Sequence, residues 1–246
     1  MTRRSTFCAQ RWPMDAQSLA QAQAWARGIT AQVLDLTWRA FDRFQAEDLQ
    51  KVDLQQNLEQ LERDLTSSHF AHISQLWKQE DDGFSSVFPH HEFPEQESRP
   101  GGSGRPPAYD LAFVYTENRR IAWPIEAKVV HSTGELARYL SDVNKFINGK
   151  ASPLTGDGGV IAYLLSGKET DLFAKLQDRL RQDLLLPIDG SPLSSRPHRI
   201  SHHERNTAPL LQLHHMAMHC VVTSASVDYR GRRRKVRRSQ YPVEQS

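Results

Sequence analysis

Two strand-like runs joined by a short polar turn constrain this fold more than any other part of the sequence. The first, DLAFVY, spans 110–115, and the second, IAWPIEAKVV, spans 121–130. Only the residues TENRR separate them, which predicts an antiparallel hairpin. The first run does not alternate strictly between apolar and polar residues, so we expect a strand that is covered on both faces.

Charged residues interrupt the second run. Glu126 and Lys128 lie two residues apart, so in a strand their side chains point to the same face. Asp110 begins the neighbouring strand, and the hairpin brings it towards them. Burying charge in an apolar strand is costly unless partners or a metal ion satisfy it. Two carboxylates suit a hard divalent cation, and a lysine can position water or stabilise an anionic transition state.

This pattern resembles the PD-(D/E)xK nuclease superfamily, whose fold is called restriction-endonuclease-like. PAYD at 107–110 corresponds loosely to the PD element, and EAK at 126–128 is the ExK element. The order of helix, three-strand meander, helix and strand over about residues 53–167 also matches that family's core. The sequence departs from the pattern at Pro124, whose missing N–H predicts a bulge or bend just before the ExK element.

The resemblance implies a Mg²⁺-dependent endonuclease that hydrolyses phosphodiester bonds in DNA, with Mn²⁺ able to substitute. It implies that Asp110 and Glu126 bind the metal ion and that Lys128 assists the attacking water. Family members often add a metal-binding glutamate from the preceding helix. Glu62 is the candidate, because it flanks the apolar stripe of the predicted helix. Glu92 and Glu95 are the alternative candidates for this third acid.

The family also suggests partners and a biological setting. We expect nucleic acid, DNA rather than RNA, as the partner, and restriction or phage defence as the setting. Restriction-like domains frequently pair, so a homodimer or a complex with a defence-system protein is also expected. The Arg-rich stretch at 230–238 has seven basic residues and no acid. It suits sequence-independent phosphate contact, and a disordered solubilising tail is the alternative.

The rest of the chain completes an α/β prediction: a restriction-endonuclease-like mixed sheet flanked by helices, with an N-terminal helical region. Residues 15–79 show helical periodicity, 158–167 form a buried strand, 170–185 an amphipathic helix and 210–222 a closing strand. A segment at 85–95 reads as a short strand interrupted by prolines.

These elements predict three parts of the chain. We expect residues 1–52 to be a helical extension, 53–228 the nuclease-like core and 229–246 a basic, disordered tail. On the helix after the ExK element, Arg138, Asp142 and Lys145 are predicted to form a stripe opposite the apolar face. That stripe is either solvated or touches a phosphate backbone.

Cysteine content and hydrophobicity indicate the cellular compartment in which we expect this protein. Two cysteines, Cys8 and Cys220, provide no disulfide framework, which favours a reducing cytoplasm. No apolar run approaches the roughly 18 residues of a membrane span, and the polar N-terminal segment predicts no signal peptide. We therefore expect a cytoplasmic protein without a membrane partner.

Other interpretations stay open at this point. In one of them, Asp110 simply begins a strand while Glu126 and Lys128 form an exposed ion pair. The chain would then be a non-catalytic nucleic-acid-binding subunit or a protein-interaction subunit that retains the fold. A histidine-rich region suggests zinc only weakly, because it has no CxxC pair; its members are His202, His203, His214, His215, His219 and Cys220.

Overall fold

Helices and strands occupy most of the chain that the computed structural model describes, which comprises residues 16–80, 85–95, 108–132, 136–205 and 209–221. The helices are α1 (Ala16–Glu47), α2 (Leu58–Trp77), α3 (Ala137–Ile147) and α4 (Glu169–Leu180), with a 3₁₀ turn at Leu49–Lys51. The strands are β1 (Val87–Pro94), β2 (Ala108–Tyr115), β3 (Ala122–Val130), β4 (Asp157–Leu164), β5 (His198–His203) and β6 (Leu211–His219). None of these helices is long and apolar enough to cross a bilayer.

The six strands form one mixed sheet in the order β1-β2-β3-β4-β6-β5. The first three strands are an antiparallel meander, which confirms the predicted hairpin. β4 then lies parallel to both β3 and β6, with α3 and α4 in the two connections. β5 is an antiparallel edge strand. The prediction of an α/β chain with an N-terminal helical region is confirmed.

Helices cover both faces of this sheet. On one face α1 and α2 pack against alternate β3 residues, and Phe44, Leu65 and Trp123 share that core. On the other face α3 and α4 pack against β4, with Phe146 and Leu172 in the core. The predicted boundary at residue 52 lies between α1 and α2, yet both helices belong to the same core. The predicted tail at 229–246 lies outside the described residues.

Pro124 is accommodated in β3 without a bulge. The register with β2 runs unbroken from Ala122 to Ile125, and the parallel ladder with β4 begins only at Ile125. Pro124 therefore has no β4 partner that would need its missing N–H. Pairing with β2 stops at Ile125, and beyond it the Ala127 N–H donates to the Asp110 carboxylate, 2.7 Å away.

Three other elements differ from the sequence prediction. β1 is continuous through Pro89, which an edge strand tolerates because one side of it needs no ladder hydrogen bonds. α4 ends at Leu180 instead of Leu185, because Arg181 adopts a left-handed conformation with φ 53°. β5 was not predicted, since HRISHH lacks an apolar pattern and becomes a strand by pairing with β6.

Candidate functional site

The side chains of the predicted constellation meet where β2 and β3 separate. Lys128 Nζ lies 2.9 Å from Glu62 Oε1 on α2 and 3.4 Å from Asp110 Oδ2 on β2. It also donates to the Ala127 carbonyl at 2.8 Å. Residues from a helix and two strands are therefore brought together at the gap between β2 and β3, and the hairpin predicts the approach of Asp110 to Lys128.

Glu62 is held at this point by several donors. Besides Lys128, the Val129 N–H donates to Oε2 at 3.3 Å, and Arg138 from α3 donates to both carboxylate oxygens at 3.3 and 3.1 Å. Glu59, one turn earlier, is exposed and pairs with Arg63. The choice of Glu62 over its neighbour agrees with this placement. In the structure Glu62 acts as a counter-ion, and its predicted role as a metal ligand stays a prediction.

Asp142 is the main site residue that sequence reasoning missed. It was placed on a stripe opposite the apolar face of α3, but it is 2% exposed. Its Oδ1 lies 2.6 Å from Lys145 Nζ, and its Oδ2 lies 3.1 Å from Lys128 Nζ without the geometry of a hydrogen bond. The spacing of Asp142 could have indicated its burial, because it follows buried Tyr139 by three residues and precedes buried Phe146 by four.

Glu126, the acid of the ExK element, is deeply buried. It is 3% exposed, and its carboxylate lies 3.5 Å from Lys145 Nζ. It is therefore not the exposed partner of Lys128 that a purely structural interpretation of the sequence expects. Burial, followed by the negative charges of Asp110 and Asp142, raises its pKa from 4.5 to about 8. Near neutral pH this carboxyl is largely protonated, and a nearby cation would favour its ionised form.

The two lysines remain cationic in this environment. Burial by itself lowers the pKa of Lys128, but the carboxylates of Asp110, Asp142 and Glu62 outweigh it and raise that pKa. The pKa of Lys145 is likewise raised, because Glu126 and Asp142 oppose the effect of burial. Lys128 is therefore protonated throughout the physiological range. A lysine in this state donates hydrogen bonds and offsets negative charge, but it does not accept a proton.

A cleft of about 410 Å³ opens beside Glu126. We call it the Glu126 cleft; its wall includes Tyr109, Glu126, Asn144, Lys145, Asn148 and Lys150. Glu95, one of the alternative acids, also lines it, is buried and accepts a hydrogen bond from Tyr109. Glu92 is exposed and lies on β1 with φ 52°. The cleft gives a route from solvent to the Glu126 carboxyl, whose ionisation is suppressed by burial.

The donor chemistry suits a hard divalent cation. Asp110 and Glu126 supply oxygen ligands, and Mg²⁺ is commonly bound through one or two carboxylates with water completing its shell. A larger cage is not formed: within the described ranges, no group of three or more His, Cys, Asp or Glu side chains is arranged to hold a metal ion. Asp110 and Glu126 are therefore the two carboxylates that could hold such an ion, because Glu62 pairs with Lys128 and Arg138.

The histidine-rich region forms hydrogen bonds inside the sheet. His215 lies 2.9 Å from the Tyr139 hydroxyl and 2.8 Å from the Ser201 hydroxyl. His214 lies 2.9 Å from His198. His215 is buried between β5, β6 and α3, whereas His198 and His214 are buried on the opposite face of the sheet, where His214 contacts Trp123. In this arrangement the rings support the sheet. The Arg-rich stretch at 230–238 lies outside the described residues.

Comparison of the chain with protein-family models, with curated proteins and with solved structures finds no match. The site is therefore interpreted from its own geometry and chemistry.

Proposed function

We propose that this chain is a metal-dependent nuclease that hydrolyses phosphodiester bonds in DNA, on a restriction-endonuclease-like fold. The observation that carries the proposal is the convergence of Asp110, Glu126 and Lys128 from two strands. They meet where the backbone ladder ends, beside a cleft that reaches solvent. Charged groups buried at such a point, with a strongly perturbed pKa, are typical of catalytic sites.

Each residue has a distinct part in this proposal. Asp110 and Glu126 would hold the metal ion, which when bound lowers the pKa of a coordinated water and offsets charge on the phosphate. Lys128, which keeps its proton, stabilises negative charge on the phosphate rather than acting as a base. Glu62 accepts a hydrogen bond from the Lys128 ammonium, and the Asp142 carboxylate lies 3.1 Å from it, so both would help to position it.

A non-catalytic nucleic-acid-binding subunit is the second candidate. The observation in its favour is that Lys128, Lys145 and Arg138 already pair with the carboxylates of the cluster. Such a cluster is close to charge balance without an added ion. Binding of DNA that survives EDTA and yields no product with Mg²⁺ or Mn²⁺ would favour this candidate over a nuclease.

Lys128→Ala tests the proposal. We expect cleavage of plasmid DNA in Mg²⁺ to fall by at least about 100-fold, the usual cost of removing one stabilising donor. Because Lys128 compensates three carboxylates, the change should also lower stability. Lys128→Gln is therefore measured alongside, since its amide can still donate to Glu62.

Lys168→Ala is the matched control, because Lys168 is exposed and precedes α4, away from the cluster. Circular dichroism establishes that each variant is folded before its cleavage rate is compared. A folded Lys128 variant that cuts at the wild-type rate would refute the assignment.

A further inference from the structure

One wall of the Glu126 cleft is built from a polar stripe of α3. The stripe consists of Ser141, Asn144, Lys145 and Asn148. Successive members are three, one and three residues apart, so they share one face of the helix. Their hydroxyl, amide and ammonium groups all border the cleft. The volume of about 410 Å³ lies in the range in which proteins enclose small-molecule-sized groups.

Tyr109 on β2 adds an aromatic side chain to the lining of the cleft. Tyr109 is 3% exposed, and its hydroxyl donates to Glu95 and accepts the Ser152 N–H at 3.2 Å. The Glu95 carboxylate is thereby engaged, while Lys145 and Lys150 place positive charge at the cleft. A planar ring, hydrogen-bonding amides and two ammonium groups therefore surround one space next to Glu126.

An aromatic surface on β1 continues from this cleft. A smaller neighbouring cleft shares Glu95 and Tyr109 and adds Phe93 and Arg119. We call the group of Phe88, His90, Phe93 and Arg119 the β1 rim. Its ring centroids are 5.9 Å apart for Phe88 and His90 and 5.2 Å for His90 and Phe93, and the Arg119 guanidinium lies 5.7 Å from the Phe88 ring. His90 is exposed, and both Phe rings are half-buried.

We propose that the Glu126 cleft and the β1 rim together bind a single strand of nucleic acid, with one unstacked nucleotide in the cleft. This rests on the proposed function and names the substrate class of the same site. Single-strand binders combine cations that follow the backbone with aromatic rings on which bases stack. A paired and stacked base cannot enter a cleft of this kind unless it leaves the duplex. The cleft and the rim therefore favour a strand whose bases are already free.

Fluorescence anisotropy of the full chain in EDTA measures this preference without cleavage. The probes are a labelled single-stranded DNA of about twelve nucleotides, within the usual range of site sizes, and the same sequence as a duplex. Both are measured at one salt concentration, because phosphate contacts depend on salt. We expect the single strand to bind about tenfold more tightly, since stacking adds to contacts that both probes make.

Two matched pairs of variants locate the surface. Lys150→Ala in the cleft is compared with Lys168→Ala, and His90→Ala on the rim with His202→Ala on the opposite sheet edge. We expect the first member of each pair to weaken single-strand binding by about fivefold or more, while its control binds like the wild type. Equal affinity for both probes, or variants that match their controls, would overturn the inference.

The assay also separates this inference from the proposed nuclease. Single-strand binding at the cleft and rim, with no cleavage in Mg²⁺ or Mn²⁺, would support the surface and reject the enzyme. Metal-dependent cleavage of duplex, with no preference for a single strand, would support the enzyme and reject the surface.

Discussion

Glu126→Gln tests the electrostatics of the site directly, because it removes a titrating group while keeping the shape of the side chain. A carboxyl whose pKa is raised by folding binds more protons in the folded chain than in the unfolded chain. Stability is therefore lost as the pH rises from the unfolded value of 4.5 through the folded value of about 8. The Gln variant has no such loss.

The size of the effect follows from the two values. At about 1.4 kcal/mol for each pH unit between them, the full loss is about 5 kcal/mol. Between pH 5 and pH 7 the loss is about 2 to 3 kcal/mol, and between pH 5 and pH 9 about 4 kcal/mol. We therefore expect the stability of Glu126→Gln, relative to the wild type, to increase by these amounts over the same intervals. Groups that do not interact with Glu126 contribute equally to both proteins and cancel in this difference.

Urea unfolding in EDTA at pH 5, 7 and 9 provides the free energies of unfolding. Glu59→Gln is the matched control: Glu59 is an exposed acid whose loss removes one surface ion pair. Its difference from the wild type should stay within about 0.5 kcal/mol at every pH. A Glu126→Gln difference that does not grow with pH would show that Glu126 is not held in the buried, negatively charged setting described above.

Two further predictions concern the fold. Burial lowers the pKa of His198 and of His215 from 6.5 to about 3, so each should reduce stability by about 2 kcal/mol at pH 5 as the unfolded chain takes up the protons. Urea unfolding of His215→Gln should show a shallower acid loss, and an unchanged slope would contradict this. Gly158→Ala should destabilise by about 1–3 kcal/mol, since its Cβ would lie 2.4 Å from Phe146 Cε1. Gly28→Ala, in open space within α1, should stabilise by about 0.5–1 kcal/mol, and thermal unfolding of both variants checks the opposite signs.

The hairpin and its charges were predictable because they depend on local sequence. A turn between two apolar runs specifies which strands are neighbours, and a two-residue spacing specifies a shared face. Glu126 and Lys128 were found in this way. Glu62 was predicted because its position at the flank of an apolar stripe is also a local property of one helix. The structure places it beside Lys128, and its role as a metal ligand stays a prediction.

Asp142 was not found, because its role depends on how α3 docks on the sheet. In the sequence, Asp142 belongs to a stripe that is predicted to be solvated. In the structure, Lys128 on β3 lies next to its carboxylate. β5 was missed for a related reason. Its polar sequence forms a strand through hydrogen bonds to β6, which follows it in the sequence. Both depend on tertiary contacts that periodicity within one element does not contain.

The hydrogen bond from the Ala127 amide to Asp110 has a consequence for substitutions at this position. Asp110 links β2 to β3 just beyond the last main-chain pair between them. The length of its side chain therefore matters as well as its charge. Asparagine offers an acceptor at the same distance. Glutamate carries the same charge on a side chain one methylene longer, which does not match the 2.7 Å hydrogen bond without a shift of the side chain or strand. A side chain at position 110 must therefore have the right length to hold β2 and β3 together. This structural requirement applies whatever reaction takes place at the site.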